Sequence, residues 1–305
     1  MSVDARLIAL VAGAAALGGV DAALAQRRPF QSGVEVIAVA ATVRDMDGRL
    51  AKGLPREAFE IYDDGQQQAV TQFTNERVPV SLGVLIDVSD SMFGQRIKDA
   101  RAAVDRFLLD LLDASDEFFV LAFNHEPRFL TGWTSSPDTV RLALEAIRPW
   151  GGTAEYDAVL AALPFFDKRT KPRASLLLIT DGADTASDAK LRDVRSAMLQ
   201  SETFAFAIAI DPPERVAINT RVNAVALRDV TDNAGGRTEV ARNAEELVAA
   251  TAGIAEELNN QYLIGYNAPH KADGRFHSIR VAVRGGEYRV RARKGYVATP
   301  LPVKR

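Results

Sequence analysis

Strand-like and helix-like patterns alternate along the middle of this 305-residue chain, and this alternation constrains the fold more than any other feature. Apolar runs suited to strands occupy residues 81–86, 118–123, 175–180 and 203–210. The last three are continuously apolar, as expected of central parallel strands that are covered on both faces. Between the runs, apolar residues recur at helical spacing. This alternation predicts a doubly wound, mostly parallel α/β sheet over residues 79–260.

The segments on either side of this region, residues 33–77 and 261–297, show strand and turn patterns. In the first segment, Asp63-Asp64-Gly65 predicts a hairpin turn between residues 59–62 and 69–73. Neither segment is large enough to form a stable sheet alone. We therefore expect the two to pair in a small flanking β-sandwich, into which the α/β domain is inserted.

In the second flanking segment, residues 276–283 and 288–293 predict a hairpin around Gly285-Gly286. Alternation along the last strand places Arg289, Arg291 and Arg293 on one face. A solvated face is the favoured interpretation of these arginines, and a basic docking surface is the alternative.

Oxygen-bearing side chains follow two of the predicted strands. Asp87, Ser89 and Ser91 alternate at the end of the first strand, and Asp181 directly follows a later apolar run. Thr153 comes after two glycines, which permit a tight turn that exposes its hydroxyl. Doubly wound folds place ligands where their strands end, so we expect these five side chains to converge. An oxygen-only set suits a hard cation such as Mg²⁺ or Mn²⁺.

Each piece of this pattern has an ordinary structural explanation when taken alone. Asp and Ser before a helix commonly cap its first turn, and Gly-Gly-Thr or Thr-Asp-Gly commonly form turns. The three pieces in this order, each at the end of a strand or loop, favour a metal site. A domain that keeps the fold but binds no metal is the remaining alternative.

The series Asp87-x-Ser89-x-Ser91, then Thr153, then Asp181, resembles the metal-ion-dependent adhesion site of von Willebrand factor type A (VWA) domains. The flanking segments resemble those of a bacterial "VWFA-related" group. The resemblance implies that Ser89 and Ser91 coordinate one Mg²⁺ or Mn²⁺ ion directly and that Thr153 is a switchable ligand. Asp87 and Asp181 would bind directly or through water and supply charge.

The resemblance further implies a role in adhesion or as a scaffold. One coordination position would stay open for an acidic side chain of a protein partner. Glu155 stands where the related group usually has an apolar residue, and we expect it either to weaken acidic-ligand binding or to point into solvent. Asp90 and Asp184 are expected at the rim of the site. The alternative function is a structural subunit of an envelope complex, with a degenerate or purely structural metal site.

Composition excludes several other classes of function. The net charge of −3, without long runs of one sign, gives no indication of a nucleic-acid partner or of a membrane contact other than an uncleaved leader. No cysteine is present, so neither a disulfide nor a lipoprotein anchor can form. The chain also lacks a nucleophile elbow, a Walker loop and a dinucleotide-binding glycine fingerprint.

The main enzymatic alternative is a hydrolase or phosphatase on an α/β fold, with Asp87 as nucleophile. Such a phosphatase requires a second acid two residues later, where Ser89 stands. His125 is expected in a loop and His270 and His277 in the C-terminal β segment, so the three histidines are not expected to form a useful cluster. We therefore predict no catalytic residues and no enzymatic activity.

The chain begins with an apolar stretch at residues 7–24, which is preceded by Arg6 and ends in Ala23-Leu24-Ala25. This pattern predicts a signal peptide over residues 1–25, with Gln26 as the mature N-terminus. An uncleaved anchor is the alternative, because the stretch is close to the lower length limit for spanning a bilayer. The leader predicts export to the periplasm or surface of a bacterium.

Overall fold

The computed structural model describes residues 36–108, 113–211, 223–270 and 272–298. The predicted signal peptide lies outside these ranges and stays a prediction. Within them, no helix combines the length and the apolar character that crossing a bilayer requires.

The chain forms a series of strands and helices in its described ranges. The strands are β1 (Val36–Arg44), β2 (Phe59–Asp63), β3 (Gln66–Gln68), β4 (Val70–Thr74), β5 (Val80–Asp87), β6 (Glu117–Phe123), β7 (Pro127–Phe129), β8 (Arg173–Thr180), β9 (Phe204–Ile210), β10 (Thr238–Ala241), β11 (Tyr262–Asn267), β12 (Phe276–Val283), β13 (Arg289–Ala292) and β14 (Gly295–Val297). The α-helices are α1 (Gln95–Arg106), α2 (Pro137–Glu145), α3 (Glu155–Ala162), α4 (Leu191–Gln200), α5 (Ala224–Asn233) and α6 (Ala244–Asn259).

The central sheet has the strand order β10-β9-β8-β5-β6-β7. All strands from β10 to β6 in this order run parallel, whereas β7 is an antiparallel edge strand paired with β6. Strands β5, β6, β8 and β9 are buried along their whole length, as expected of parallel strands between two layers of helices. The predicted doubly wound, mostly parallel sheet is therefore confirmed.

Helices cover both faces of this sheet. One apolar core joins the sheet to α1, α2 and α6, and a second core joins it to α3, α4 and α5. The apolar faces of these helices explain their packing. On α6, for example, Leu247, Ile254 and Leu258 are buried at helical spacing. Asn243 caps the N-terminus of that helix, because its side chain accepts a hydrogen bond from the Glu246 N–H at 2.8 Å.

The chain leaves β5 and β8 in opposite directions. Strand β5 leads to β6 on one side, whereas β8, its neighbour on the other side, leads further away to β9. In open α/β sheets, such a switch point opens the crevice in which ligands bind. The register pairs Ile86 with Ile179, so the carboxyl ends of the two strands lie level with each other.

Two four-stranded antiparallel sheets flank the α/β unit, in the orders β13-β1-β11-β4 and β14-β12-β2-β3. Strands from the two ends of the chain pair with each other, β1 with β11 and β13, and β2 with β12. Val39 and Ile264 from the first sheet share one core with Ile61 and Ile279 from the second. The predicted sandwich of N- and C-terminal segments is confirmed.

Two predicted hairpins differ from the structure. After Asp63-Asp64-Gly65, β2 pairs with β3, and β4 belongs to the other sheet. Around Gly285, the predicted hairpin is wrong, because β12 pairs with β2 and β14 whereas β13 pairs with β1. Alternation shows which side chains share a face, but it does not show which strand lies alongside.

The predicted solvated face of β13 is also wrong for part of its length. Arg289 is exposed, but Arg291 forms an ion pair with Glu257 of α6, and Arg293 is only 7% exposed. The Glu257 side chain is fully buried and also pairs with Arg237 Nε at 3.0 Å. The last helix of the α/β unit therefore contributes a buried charge that pairs with arginines at this edge of the sandwich.

Candidate metal site at the end of the parallel sheet

Asp87 is the last residue of β5, and its side chain is held at the switch point. It is completely buried. Its Oδ1 accepts a hydrogen bond from the Ser89 N–H at 2.8 Å, and its Oδ2 accepts one from Thr180 Oγ1 at 2.6 Å. Sequence reasoning did not identify Thr180, although its position at the end of β8, level with Asp87, was available from the strand pattern. Both oxygens of Asp87 therefore already accept hydrogen bonds, and the residue contributes a negative charge next to the two serines.

Ser89, Ser91 and Asp181 form a chain of oxygen atoms across the crevice. Ser89 Oγ lies 3.0 Å from Ser91 Oγ, and Ser91 Oγ donates to Asp181 Oδ1 at 2.6 Å. The turn of 3-10 helix at Asp90–Met92 carries Ser91 between its two neighbours. The structure thus brings these predicted residues together within hydrogen-bond distance.

Thr153 reaches the same place from the loop before α3. An ideal Cβ added to Gly182 would lie 3.2 Å from Thr153 Oγ1 and 3.8 Å from Ser91 Oγ, so both hydroxyls flank this glycine. The backbone of Thr153 is fixed by a hydrogen bond from its N–H to Thr185 Oγ1 at 3.0 Å. All five predicted residues therefore surround one point at the end of the sheet.

Arg96 of α1 is a site residue that the sequence patterns did not reveal. Its Nη1 lies 3.1 Å from Asp181 Oδ2 and donates to the Ser91 carbonyl oxygen at 2.8 Å. It therefore places a positive charge beside the carboxylate that faces the two serines.

Glu155, the first residue of α3, differs from one of its two expected roles. It does not point into solvent, because it is only 4% exposed. Burial raises its pKa to about 8, and the nearby charges of Asp184 and Asp87 add to the effect. Burial therefore favours the protonated form of this carboxyl group. The other expectation, that Glu155 weakens the binding of acidic ligands, stays a prediction.

The two aspartates are likewise unfavourable as buried anions. Burial raises the pKa of Asp87 to about 6, although hydrogen bonds from Thr180 and Ser89 oppose the shift. Burial also raises the pKa of Asp181, against the opposing effects of Ser91 and Arg96. Two crowded carboxylates beside three hydroxyl groups are a donor set that a hard divalent cation would neutralise. The residues present therefore fit a Mg²⁺ or Mn²⁺ ion.

The rim of the site combines acidic and aromatic residues. Asp90 is exposed and Asp184 is partly exposed, in agreement with their expected place at the rim. Phe93 and Trp150 are 76% and 56% exposed, although large apolar side chains are usually buried. The ring of His125 lies 4.4 Å from that of Trp150.

The other two histidines form a cluster with two aspartates, which corrects the sequence prediction. His270 and His277 stack at 3.9 Å in the sandwich, beside Asp63 and Asp64. These four residues are called the His–Asp cluster below. The sequence did not reveal this cluster, because Asp63 and His277 lie more than two hundred residues apart. They meet only through the pairing of β2 with β12.

Comparison with known proteins identifies the class to which the α/β unit belongs. Residues 82–183, which include all five predicted ligands, match the family model for the von Willebrand factor type A domain. This part of the chain is therefore a VWA domain.

Its sequence relatives are similar over less than half of the chain. Inter-alpha-trypsin inhibitor heavy chain H2 of Mus musculus is 29% identical in an alignment of 136 residues that covers 41% of this chain and 14% of that protein. Heavy chain H4 of Bos taurus is 29% identical in an alignment of 123 residues that covers 36% of this chain and 13% of that protein. The chain thus spans about one seventh of the length of these relatives.

The likeness in fold extends further than the likeness in sequence. The solved structure of a von Willebrand factor type A protein from Catenulispora acidiphila superposes with a TM-score of 0.53 and 15% identity. It covers 86% of this chain, and this chain covers 72% of it. At this identity the comparison concerns the fold alone, and it agrees with the predicted architecture.

Proposed function

We propose that the VWA domain is a divalent-metal-dependent protein-binding module. The observation that carries this proposal is the chain of contacts from Ser89 Oγ through Ser91 Oγ to Asp181, at the switch point of a parallel sheet. Thr153 Oγ1 lies beside the next residue, Gly182, and Asp87 accepts a hydrogen bond from the Ser89 N–H. The site lies where doubly wound folds bind ligands, and its donors are all oxygen.

The charges of the surrounding residues favour an acidic partner. One Mg²⁺ or Mn²⁺ ion, held by the five predicted residues, would supply a positive centre that attracts a carboxylate of a partner protein. Ser89, Ser91 and Thr153 are uncharged, so Asp87 and Asp181 would be the two carboxylates that face the ion, and Arg96 adds a positive charge beside Asp181. An anion approaching this point gains electrostatic energy.

The rim supports a protein as the partner. Exposed aromatic residues are enriched at protein–protein interfaces, and Phe93 and Trp150 stand at the margin of the site. We propose an adhesion or scaffold role without enzymatic activity. The apolar leader supports export to the periplasm or cell surface. The second candidate function is a structural subunit of an envelope complex, in which the ion stabilises the fold.

The test is a calorimetric titration of Mg²⁺ and Mn²⁺ into the chelator-treated full chain. We expect about one equivalent to bind, and Asp181→Ala to abolish that binding because the ion loses the carboxylate that faces the two serines. Asp188→Ala, an exposed residue of the same loop, is the matched control and should bind as the unmodified chain does. Equal affinity in both variants would refute the proposed site.

The same samples separate recognition from a structural ion. Ligand binding that serves recognition should leave the melting temperature of the chelated protein within a few degrees of the metal-loaded one. Loss of the folded state on chelation would instead support the structural candidate, because the binding energy of a structural ion is part of the folding energy.

A further inference from the structure

We propose that the His–Asp cluster is a second metal site, for a divalent transition-metal ion of the Zn²⁺ type. It lies in the β-sandwich and does not rest on the function proposed for the VWA domain. Within the described residues, Asp63, Asp64, His270 and His277 each offer one ligand atom, and these four atoms all lie within 4.8 Å of one another.

Three distances between these atoms are close to those of a tetrahedral site. His270 Nε2 lies 3.1 Å from Asp63 Oδ1 and 3.4 Å from Asp64 Oδ2, and His277 Nδ1 lies 2.8 Å from Asp64 Oδ2. Nitrogen and oxygen atoms bound to Zn²⁺ at about 2.0–2.1 Å in a tetrahedron stand about 3.3 Å apart. The other pairs lie within 4.8 Å, so side-chain movement would complete the site.

The backbone at Asp64 is what allows two successive aspartates to share one site. Successive residues of a strand point to opposite faces of the sheet. Asp64 has a φ of 46°, the left-handed region, and is the one non-glycine residue in the described ranges with a positive φ. The chain turns there, so that both carboxylates reach His270.

The remaining polar atoms of three ligands are held by an outer layer of residues. His277 Nε2 lies 3.2 Å from Asp273 Oδ1, which fixes the orientation of the ring and leaves Nδ1 to face the cluster. Asp64 Oδ1 accepts hydrogen bonds from the N–H and the hydroxyl of Ser278. Metal-binding histidines usually donate their second N–H to a carboxylate, and ligating carboxylates are themselves hydrogen-bonded.

The buried aspartate is supported in the same way by two tyrosines. Asp63 Oδ2 accepts hydrogen bonds from Tyr266 Oη at 2.7 Å and Tyr296 Oη at 3.1 Å. Its side chain is completely buried, whereas those of His270 and Asp64 are 32% and 42% exposed. The cluster thus has a rigid inner wall and an open outer side through which an ion can enter.

The donor set selects the type of ion. Imidazole together with carboxylate suits Zn²⁺ and similar transition metals, whereas Mg²⁺ and Ca²⁺ prefer oxygen ligands. A bound divalent cation would also neutralise the two carboxylates.

The experiment measures Zn²⁺ binding to the chelator-treated full chain carrying Asp181→Ala, with excess Mg²⁺ present. That background removes the VWA site, so the outcome is independent of the proposed function. We expect about one equivalent of Zn²⁺ to bind. His270→Gln should weaken binding by more than about 100-fold, beyond the effect typical of outer-layer residues. His125→Gln, the histidine outside the cluster, is the matched control.

A second readout uses Co²⁺ in place of Zn²⁺, because tetrahedral Co²⁺ absorbs visible light and reports its ligands directly. Visible absorption that is present in the control and absent in His270→Gln supports the site, provided that circular dichroism shows both variants folded. No saturable Zn²⁺ binding would overturn the proposal and identify the cluster as a network of metal-free ion pairs. Equal binding by both variants would overturn it as well.

Discussion

The VWA crevice and the His–Asp cluster of the sandwich are built in opposite ways. In the crevice, every predicted donor is a carboxylate or hydroxyl oxygen. Four of the five residues lie at or just after the ends of the parallel strands β5 and β8, and Thr153 lies in the loop between α2 and α3. In the cluster, two imidazoles meet two carboxylates, brought together by antiparallel pairing between distant parts of the chain. One molecule thus presents a hard and a softer donor set on two different folds.

The difference shows how charge is managed in each place. The crevice buries Asp87 and Asp181 with one guanidinium close by, so its anions are poorly compensated and their pKa values rise. In the cluster, a hydrogen bond with His277 and one from Ser278 lower the pKa of Asp64 to about 2. A bound cation would therefore offset more unfavourable negative charge in the crevice than in the cluster.

The largest predicted effect is a contrast in pH dependence of the chelator-treated protein. Glu155 has a pKa of about 8 when folded and an ordinary value of 4.5. Between these values only the unfolded chain releases the proton, so the free energy of unfolding falls as pH rises, by up to about 1.4 kcal/mol per pH unit. Glu155→Gln should flatten this slope in chemical denaturation measured from pH 5 to pH 8.

The control for this measurement is Glu126→Gln, an exposed residue near the same site. Identical slopes in the two variants would contradict the explanation. Asp64 of the cluster should instead affect the free energy of unfolding at acidic pH. Its lowered pKa contributes stability above its ordinary pKa of 3.8, and this contribution is lost as pH falls towards 2.

The second prediction concerns the outer layer of the cluster. Asp273→Asn should weaken Zn²⁺ binding about 10-fold, because His277 loses the carboxylate that orients its ring. Mg²⁺ binding at the crevice should not change. Both affinities follow from calorimetry, with Asp47→Asn at another exposed turn of the sandwich as the control. A parallel loss of Mg²⁺ affinity would mean that the two sites are not independent.

The smallest predicted effect lies in the crevice. Arg96→Ala should tighten Mg²⁺ binding by a few-fold, because the guanidinium beside Asp181 Oδ2 competes with the ion. A few-fold change in affinity is the effect expected from the loss of one partly exposed ion pair. The exposed Lys98→Ala on the same helix tests whether any loss of positive charge has this effect. Weaker binding in Arg96→Ala alone would show that the arginine supports the ion.

The part of the site that the sequence could predict is the part that depends on strand ends. Asp87 and Asp181 each follow an apolar run, and parallel strands bring their carboxyl ends to one edge. Arg96 could not be found in this way, because its side chain reaches Asp181 across the start of a helix. The burial of Glu155 depends on how α3 packs, which the residues around Thr153 do not specify.

The fold likewise has one part that the sequence predicts and another that it does not. Hydrophobic patterning predicts β5, β6, β8 and β9 and the helical layers, because burial on both faces leaves continuous apolar runs. In the sandwich, the local sequence does not determine which strands pair with each other. Gly285 permits a turn whether the chain returns along β12 or crosses to the other sheet, as it does here. The His–Asp cluster depends on that pairing and was therefore hidden in the sequence.

The neighbouring positions of β4 and β11 have a consequence for the organisation of the chain. These strands are antiparallel, and Thr74 stands opposite Leu263, on either side of the whole VWA domain. They have the geometry of a hairpin in which a domain replaces the turn. A turn of about two to five residues could join them and keep every strand pairing of the sandwich. The chain therefore enters and leaves the VWA domain at adjacent points of one sheet, so an insertion between β4 and β11 leaves the strand order of the sandwich unchanged.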